Sequence, residues 1–124
     1  MNLEEEVQKY MENKSKSVIT ASAYQAEAKK TAIFPADKAL EYLSLGLVGE
    51  AGEVANKVKK VIRDGHRLNN PKQNIRDEIG DVLWYCAMLC DWLEDDMGKI
   101  MEDNIAKLQS RKKRGVLGGS GDNR

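Results

Sequence analysis

Two glutamates three residues apart, Glu50 and Glu53, sit in the run GLVGEAGEVANKVKK among small and apolar side chains. A carboxylate beside a core is unfavourable unless something compensates its charge. At about 100° per residue on a helix the two fall about 60° apart, on one flank of an apolar stripe rather than opposite it. The run IRDEIGDVLWY repeats the arrangement with Glu78 and Asp81, again three apart and again at the edge of an apolar face. Packed antiparallel, two such helices bring four carboxylates together, and their repulsion in a low-dielectric groove calls for a cation. Oxygen ligands without histidine or thiolate favour magnesium, or manganese in its place, over zinc or copper. Magnesium takes a few carboxylates and completes its shell with water and substrate phosphates. The ordinary alternative is a solvated acidic face, with Glu53 paired to Lys57 one turn on. Gly46, Gly49 and Gly52 weigh against it: each weakens a helix interior by up to about 1 kcal/mol relative to alanine, which close packing or ligand approach would explain.

The elements that must position these acids read as helices. Of 124 residues, 32% are charged, with 20 acids balancing 20 bases, and only 6% are aromatic. That composition suits one charged-surface helical domain better than a sandwich or barrel, and demands neither nucleic acid nor an anionic membrane as partner. The longest uncharged stretch, VLWYCAMLC, is about half of a bilayer-spanning helix, and the polar start MNLEEEVQKY lacks signal-peptide features, so a cytoplasmic protein is expected. Cys86 and Cys90, one helical turn apart, read as free thiols, and His66 falls in a predicted loop.

Residues 1–16 form a polar arm, either a short helix or unstructured. The domain proper is expected over 17–115 and a glycine-rich tail over 116–124. A first helix is predicted over 17–31. A second, 36–63, carries a stripe of Leu40, Leu43, Leu47, Ala51, Val54, Val58 and Val61 and ends at Gly65. Asn70 as N-cap and Pro71 at the first helical position open a third, to about Leu93, apolar nearly all round and therefore central or in a subunit interface. A fourth, over 97–113, is expected to turn Ile100, Met101, Ile105 and Leu108 inward.

GEAGEV followed by DEIGDVLWY resembles the acidic signature of the all-alpha nucleoside triphosphate pyrophosphohydrolases, the MazG-like group: Glu-x-x-Glu, a spacer, then Glu-x-x-Asp. Glu50, Glu53, Glu78 and Asp81 match it position by position across a 24-residue spacer, and AYQAEAKKTA, NIAKLQSR and RGVLGGSGDNR are also similar to members of the group. The resemblance implies an all-α bundle of four to five antiparallel helices completed by association into homodimers or tetramers. It implies a hydrolase that cleaves nucleoside triphosphates to monophosphate and pyrophosphate with magnesium, in a nucleotide-pool or housekeeping role. Gly49 departs from the dimeric dUTPase type, which carries a further acid there, so the base is left open.

On this reading water attacks the α-phosphorus, Glu50, Glu53, Glu78 and Asp81 hold magnesium, and one of them also takes the water's proton. Asn104, Lys107 and Arg111 share a face of the fourth helix, and the resemblance favours the first two as substrate contacts. Lys57 and Lys60, on the flank of Glu50 and Glu53, either meet phosphate or pair with acid. Tyr85 lies on the side of Glu78 and Asp81 and either stacks on the base or packs in the core, whereas Trp84 is expected to point elsewhere and, like Trp92, to serve core or interface. A phosphoribosyl-ATP pyrophosphohydrolase and a non-catalytic helical dimerisation module are the competing readings.

Overall fold

Thr20 decides where the first helix of the domain starts. Its extended backbone and side-chain oxygen cap α2 (Ala21–Lys29), the hydroxyl accepting from Ala23 N–H at 3.1 Å, so residues 17–20 stay outside the helix predicted to include them. The computed structural model describes residues 2–12 and 17–124, so part of the expected N-terminal arm lies outside the described residues. The rest of that arm is helical: in α1 (Leu3–Glu12), Asn2 and Glu5 exchange side-chain to backbone hydrogen bonds as a capping box.

Pro35 leads through a 3-10 turn, Ala36–Lys38, into α3 (Ala39–Asp64), a rod about 39 Å long at 1.5 Å per residue. Gly65, at φ 34°, ends it and donates its N–H to the carbonyl of Val61. After a second 3-10 turn, Pro71 opens α4 (Pro71–Trp92) at its first position. Asn70 stands at the cap but in a left-handed conformation, φ 51° and ψ 60°, and its side chain makes no capping bond, which corrects the sequence expectation. Asp96 caps α5 (Met97–Lys113), accepting from Lys99 N–H at 3.0 Å. Gln25, buried on α2, fastens that start: its amide donates to the carbonyl of Asp95 at 2.9 Å and its oxygen accepts from Met97 N–H.

The α3–α4 pair is the main frame, and α4 also packs on α2 and α5, which makes it the central helix. Leu43, Ala87 and Met88 are fully buried, with Ala28, Cys90 and Met97 around them and Tyr24, Phe34, Trp84 and Tyr85 at the margin. Cys86 and Cys90 are free thiols, and burial pushes the pKa of both up. The α3 stripe is only partly inward: Leu43 is enclosed, whereas Leu40, Ala51 and Val58 are exposed.

Of the four α5 residues expected to turn inward, only Ile100 packs against the core, beside the buried Met97 at the start of the helix. Met101, Ile105 and Leu108, expected inward, are 36–48% exposed, because α5 packs on α2 and α4 and has no contact with α3. Leu45, Val48 and Ile62 on α3 are more than 70% exposed. No helix among the described residues is long and apolar enough to cross a membrane, and none of those residues is in a strand.

Candidate functional site

The α3–α4 register brings the acids together. As α3 runs from Gly46 to Lys60, its neighbours on α4 run back from Tyr85 to Asn74, so the middles of the two helices face each other. Glu50 from α3 and Glu78 and Asp81 from α4 each place a carboxylate oxygen within 4.8 Å of the other two. Glu53 stands outside this trio. It is still close enough for its charge to act on Glu50, whose pKa is raised by burial first, then by a hydrogen bond with Glu78, then by the charges of Asp81, Glu78 and Glu53. Three hard oxygen donors converging at that range, with one held toward its neutral form by the others, is a donor set fitted to magnesium or manganese.

Lys57 Nζ lies 4.0 Å from Glu78 Oε1, reaching across to α4 rather than along α3 to Glu53. Of the two outcomes open for Lys57, the structure thus shows the pairing with acid. Lys60 lies farther along, where it and Lys57 line a separate small cavity with Leu68, Pro71 and Asn74.

Thr31, Glu50, Asp81, Trp84 and Tyr85 line an open cavity of about 310 Å3. Tyr85 is half-buried in its wall, with its ring against the backbone of Gly46, so it belongs both to the cavity and to the core margin. Burial, followed by the neighbouring Tyr42, raises its pKa. Trp84, expected to point elsewhere, lines the same cavity: its ring stands edge-on to Tyr85 with centroids 5.0 Å apart, and Nε1 donates to Thr31 Oγ1 at 2.8 Å. That hydroxyl donates in turn to the carbonyl of Ala28 at 2.7 Å. Thr31, Trp84 and Tyr24, whose pKa is raised by burial and then by Asp81, are the neighbours that sequence reasoning missed. The step of three from Asp81 to Trp84 is a signal for Trp84 alone. Thr31→Val keeps the shape but removes the acceptor and is expected to lower stability by about 1 kcal/mol, read as a drop in melting temperature with altered tryptophan emission. Unchanged values would show that the hydrogen bond does not position the indole.

The structure does not bring Asn104, Lys107 or Arg111 to the acids; none lines the cavity. Asn104 and Lys107 are exposed on α5. Arg111 is 6% exposed and donates from Nη2 to the carbonyl of Asp122 at 2.8 Å, holding the tail. The tail has no helix, as expected, but it is folded: Arg124 donates to the carbonyls of Val116, Leu117, Gly118 and Gly121.

Comparison with known proteins adds to this geometry. The family described as the MazG nucleotide pyrophosphohydrolase domain matches residues 38–116, which include all four acids and the α5 face. Gene 37 protein of Mycobacterium phage L5 is 47% identical over 109 residues, covering 82% of this chain and 96% of its own length. No solved structure matches the chain.

Proposed function

The chain belongs to the MazG nucleotide pyrophosphohydrolase family, and from that premise we propose that it hydrolyses canonical or modified (deoxy)nucleoside triphosphates to nucleoside monophosphate and pyrophosphate. The observation that supports this reading most is the trio of Glu50, Glu78 and Asp81, one α3 acid and two α4 acids with oxygens within 4.8 Å of one another. These three would hold magnesium, or manganese. Magnesium, when bound, supplies positive charge to phosphoryl oxygens and acidifies water.

The chain's own residues then have distinct tasks. The oxygen of water bonds to the α-phosphorus as the bond from that phosphorus to the bridging oxygen breaks, and pyrophosphate leaves with the electron pair. We assign the water's proton to Glu53, the acid whose oxygens stand outside the shared cluster. Trp84 and Tyr85, in the wall of the cavity beside Glu50 and Asp81, offer the base an aromatic edge and hold the nucleoside in place. Lys57, bridging to Glu78, steadies the acids and borders the phosphate path.

Asn104 and Lys107 serve as substrate contacts on this reading only if another copy of the chain presents its α5 face to the acids. The exposed Leu45, Val48, Met101, Ile105 and Leu108 support such a homodimer or tetramer. Arg111, engaged with the tail, is withdrawn from that role. The site of action proposed is the cytoplasm.

Pyrophosphate release from a panel of triphosphates, with magnesium and with chelator, tests the reading. Release with magnesium alone is expected, and no release from any triphosphate would refute it. The division of labour has its own test: Glu78→Gln is expected to lose both metal binding and activity, and Glu53→Gln activity alone, read by titration calorimetry with magnesium beside the assay. Equal rates for Glu53→Gln and wild type would remove Glu53 from the mechanism.

A further inference from the structure

The α3–α4 groove has a polarity. At one end stand Trp84 and Tyr85, in the middle Glu50, Glu78 and Asp81, and at the other end a cavity of about 170 Å3 lined by Lys57, Lys60, Leu68, Pro71 and Asn74. Lys57 belongs to both of the last two regions: it lines the cavity and its Nζ is 4.0 Å from Glu78 Oε1. An anion seated there therefore adjoins the acid cluster. The geometry points to this cavity as the subsite for the pyrophosphate end of the substrate, holding the β- and γ-phosphates before cleavage and pyrophosphate after it. The inference rests on the pyrophosphohydrolase reading for the identity of the anion.

Three features of the cavity suit a polyphosphate. Two lysines supply positive charge, and the walls of Leu68 and Pro71 keep water back and so strengthen their attraction for an anion. Lys60 makes no hydrogen bond to its neighbouring acid and acts on it only through its charge: Asp64 is gripped by Arg63, whose Nε and Nη2 donate to its carboxylate at 2.7–3.0 Å. Asn74 spends its amide on a long bond, 3.4 Å, to the carbonyl of Asn69, and a charged oxygen would be a stronger acceptor. Asn74 also sits four residues, about 6 Å along α4, from Glu78, a length comparable to a diphosphate.

The order of the three regions then sets the direction of the substrate. Base, α-phosphate and terminal phosphates follow one another along a nucleoside triphosphate in the order aromatic, acidic, basic that the groove presents. The reverse direction would set the terminal phosphates against Trp84 and Tyr85 and the base between two lysines.

Titration calorimetry on the full chain, in magnesium, with inorganic pyrophosphate and with thymidine monophosphate as separate probes, tests the assignment. Lys60→Ala and Asn74→Ala are expected to weaken pyrophosphate about tenfold each, as loss of one charge-assisted bond does, and Lys60→Glu more. Lys60→Arg should retain most of the affinity, and thymidine monophosphate should be unaffected throughout. Melting curves matching wild type confirm that the variants are folded. Pyrophosphate binding indifferent to Lys60→Glu, equal weakening of both probes, or no pyrophosphate binding by the wild type overturns the subsite. The differential without turnover of any triphosphate would retire the pyrophosphohydrolase reading and leave an anion site standing, whereas turnover without the differential would retire the subsite alone.

Discussion

Glu50→Gln is expected to lower triphosphate cleavage by about 10³-fold or more, the scale of losing a preorganised group that acts on developing charge, and at the same time to raise the melting temperature of the metal-free protein. The two effects have one cause. Glu50 sits against Glu78 and Asp81, and burial together with those neighbours raises its pKa above the ordinary 4.5. In the folded state it therefore holds its proton to higher pH than in the unfolded chain. Folded protein binds more protons than unfolded between the ordinary value and the raised one, so stability falls as pH rises through that window and stays lower above it. Glutamine mimics the protonated side chain: it carries no charge, and its amide can donate to Glu78 as the protonated carboxyl does.

The metal-free wild type should accordingly lose melting temperature as pH rises from about 4.5, and Glu50→Gln should show a smaller loss over the same window and melt a few degrees higher at neutral pH. Added magnesium should raise the wild type's melting temperature and leave the variant's nearly unchanged. Scanning calorimetry in chelator and in magnesium, beside the pyrophosphate assay, reads all three. A variant that melts lower than wild type in chelator would show that the trio is not under charge repulsion, and one that stays active would show that it is not the reacting centre.

The parts of this site that were legible in sequence are those carried by one helix at a time. Three-residue spacing places Glu78 and Asp81 on a common face, and the punctuation at Gly65 and Pro71 is enough to expect α3 and α4 side by side. What single-helix geometry does not decide is how a pair straddles the seam with its neighbour. Glu50 and Glu53, about 60° apart, flank that seam, and only Glu50 reaches the two acids opposite. Arg111 shows the same limit from another side. Its step from Lys107 suggests a shared cationic face, but the tail returns through left-handed glycines at Gly119 and Gly121 and takes the guanidinium for the carbonyl of Asp122. The start of α2 falls later than the expected residue 17 because the alanine-rich run begins only at Ala21, and Thr20 caps the helix from outside. Met101, Ile105 and Leu108 have the period of a buried face, and a period does not say whether the covering surface belongs to the same chain.

Gly46→Ala is expected to destabilise the protein by about 1–3 kcal/mol, the range for inserting a methyl group into filled space. Helix propensity works the other way, since alanine in a helix interior is favoured over glycine by about 1 kcal/mol. Contact decides the sign. A Cβ at Gly46 would overlap the ring of Tyr85 at Cε1 and Cζ, and Trp84 stands edge-on to that ring, so the ring must leave its seat and its contact with Trp84 to make room. At Gly49, three residues along the same helix, a Cβ would meet no heavy atom within 4 Å, and there the propensity term stands alone, so Gly49→Ala is expected to stabilise. Melting curves for the two variants should therefore move in opposite directions. Tyr85→Leu, by removing the ring, should cancel most of the penalty at Gly46, so that the double variant is more stable than the sum of the single changes. Additive effects, or a destabilised Gly49→Ala, would mean that Gly46 serves something other than the seat of Tyr85. Because Tyr85 also lines the cavity beside Glu50 and Asp81, Gly46→Ala should raise the KM for a triphosphate more than it lowers kcat, as a displaced ring would disturb the base before it disturbs the acids.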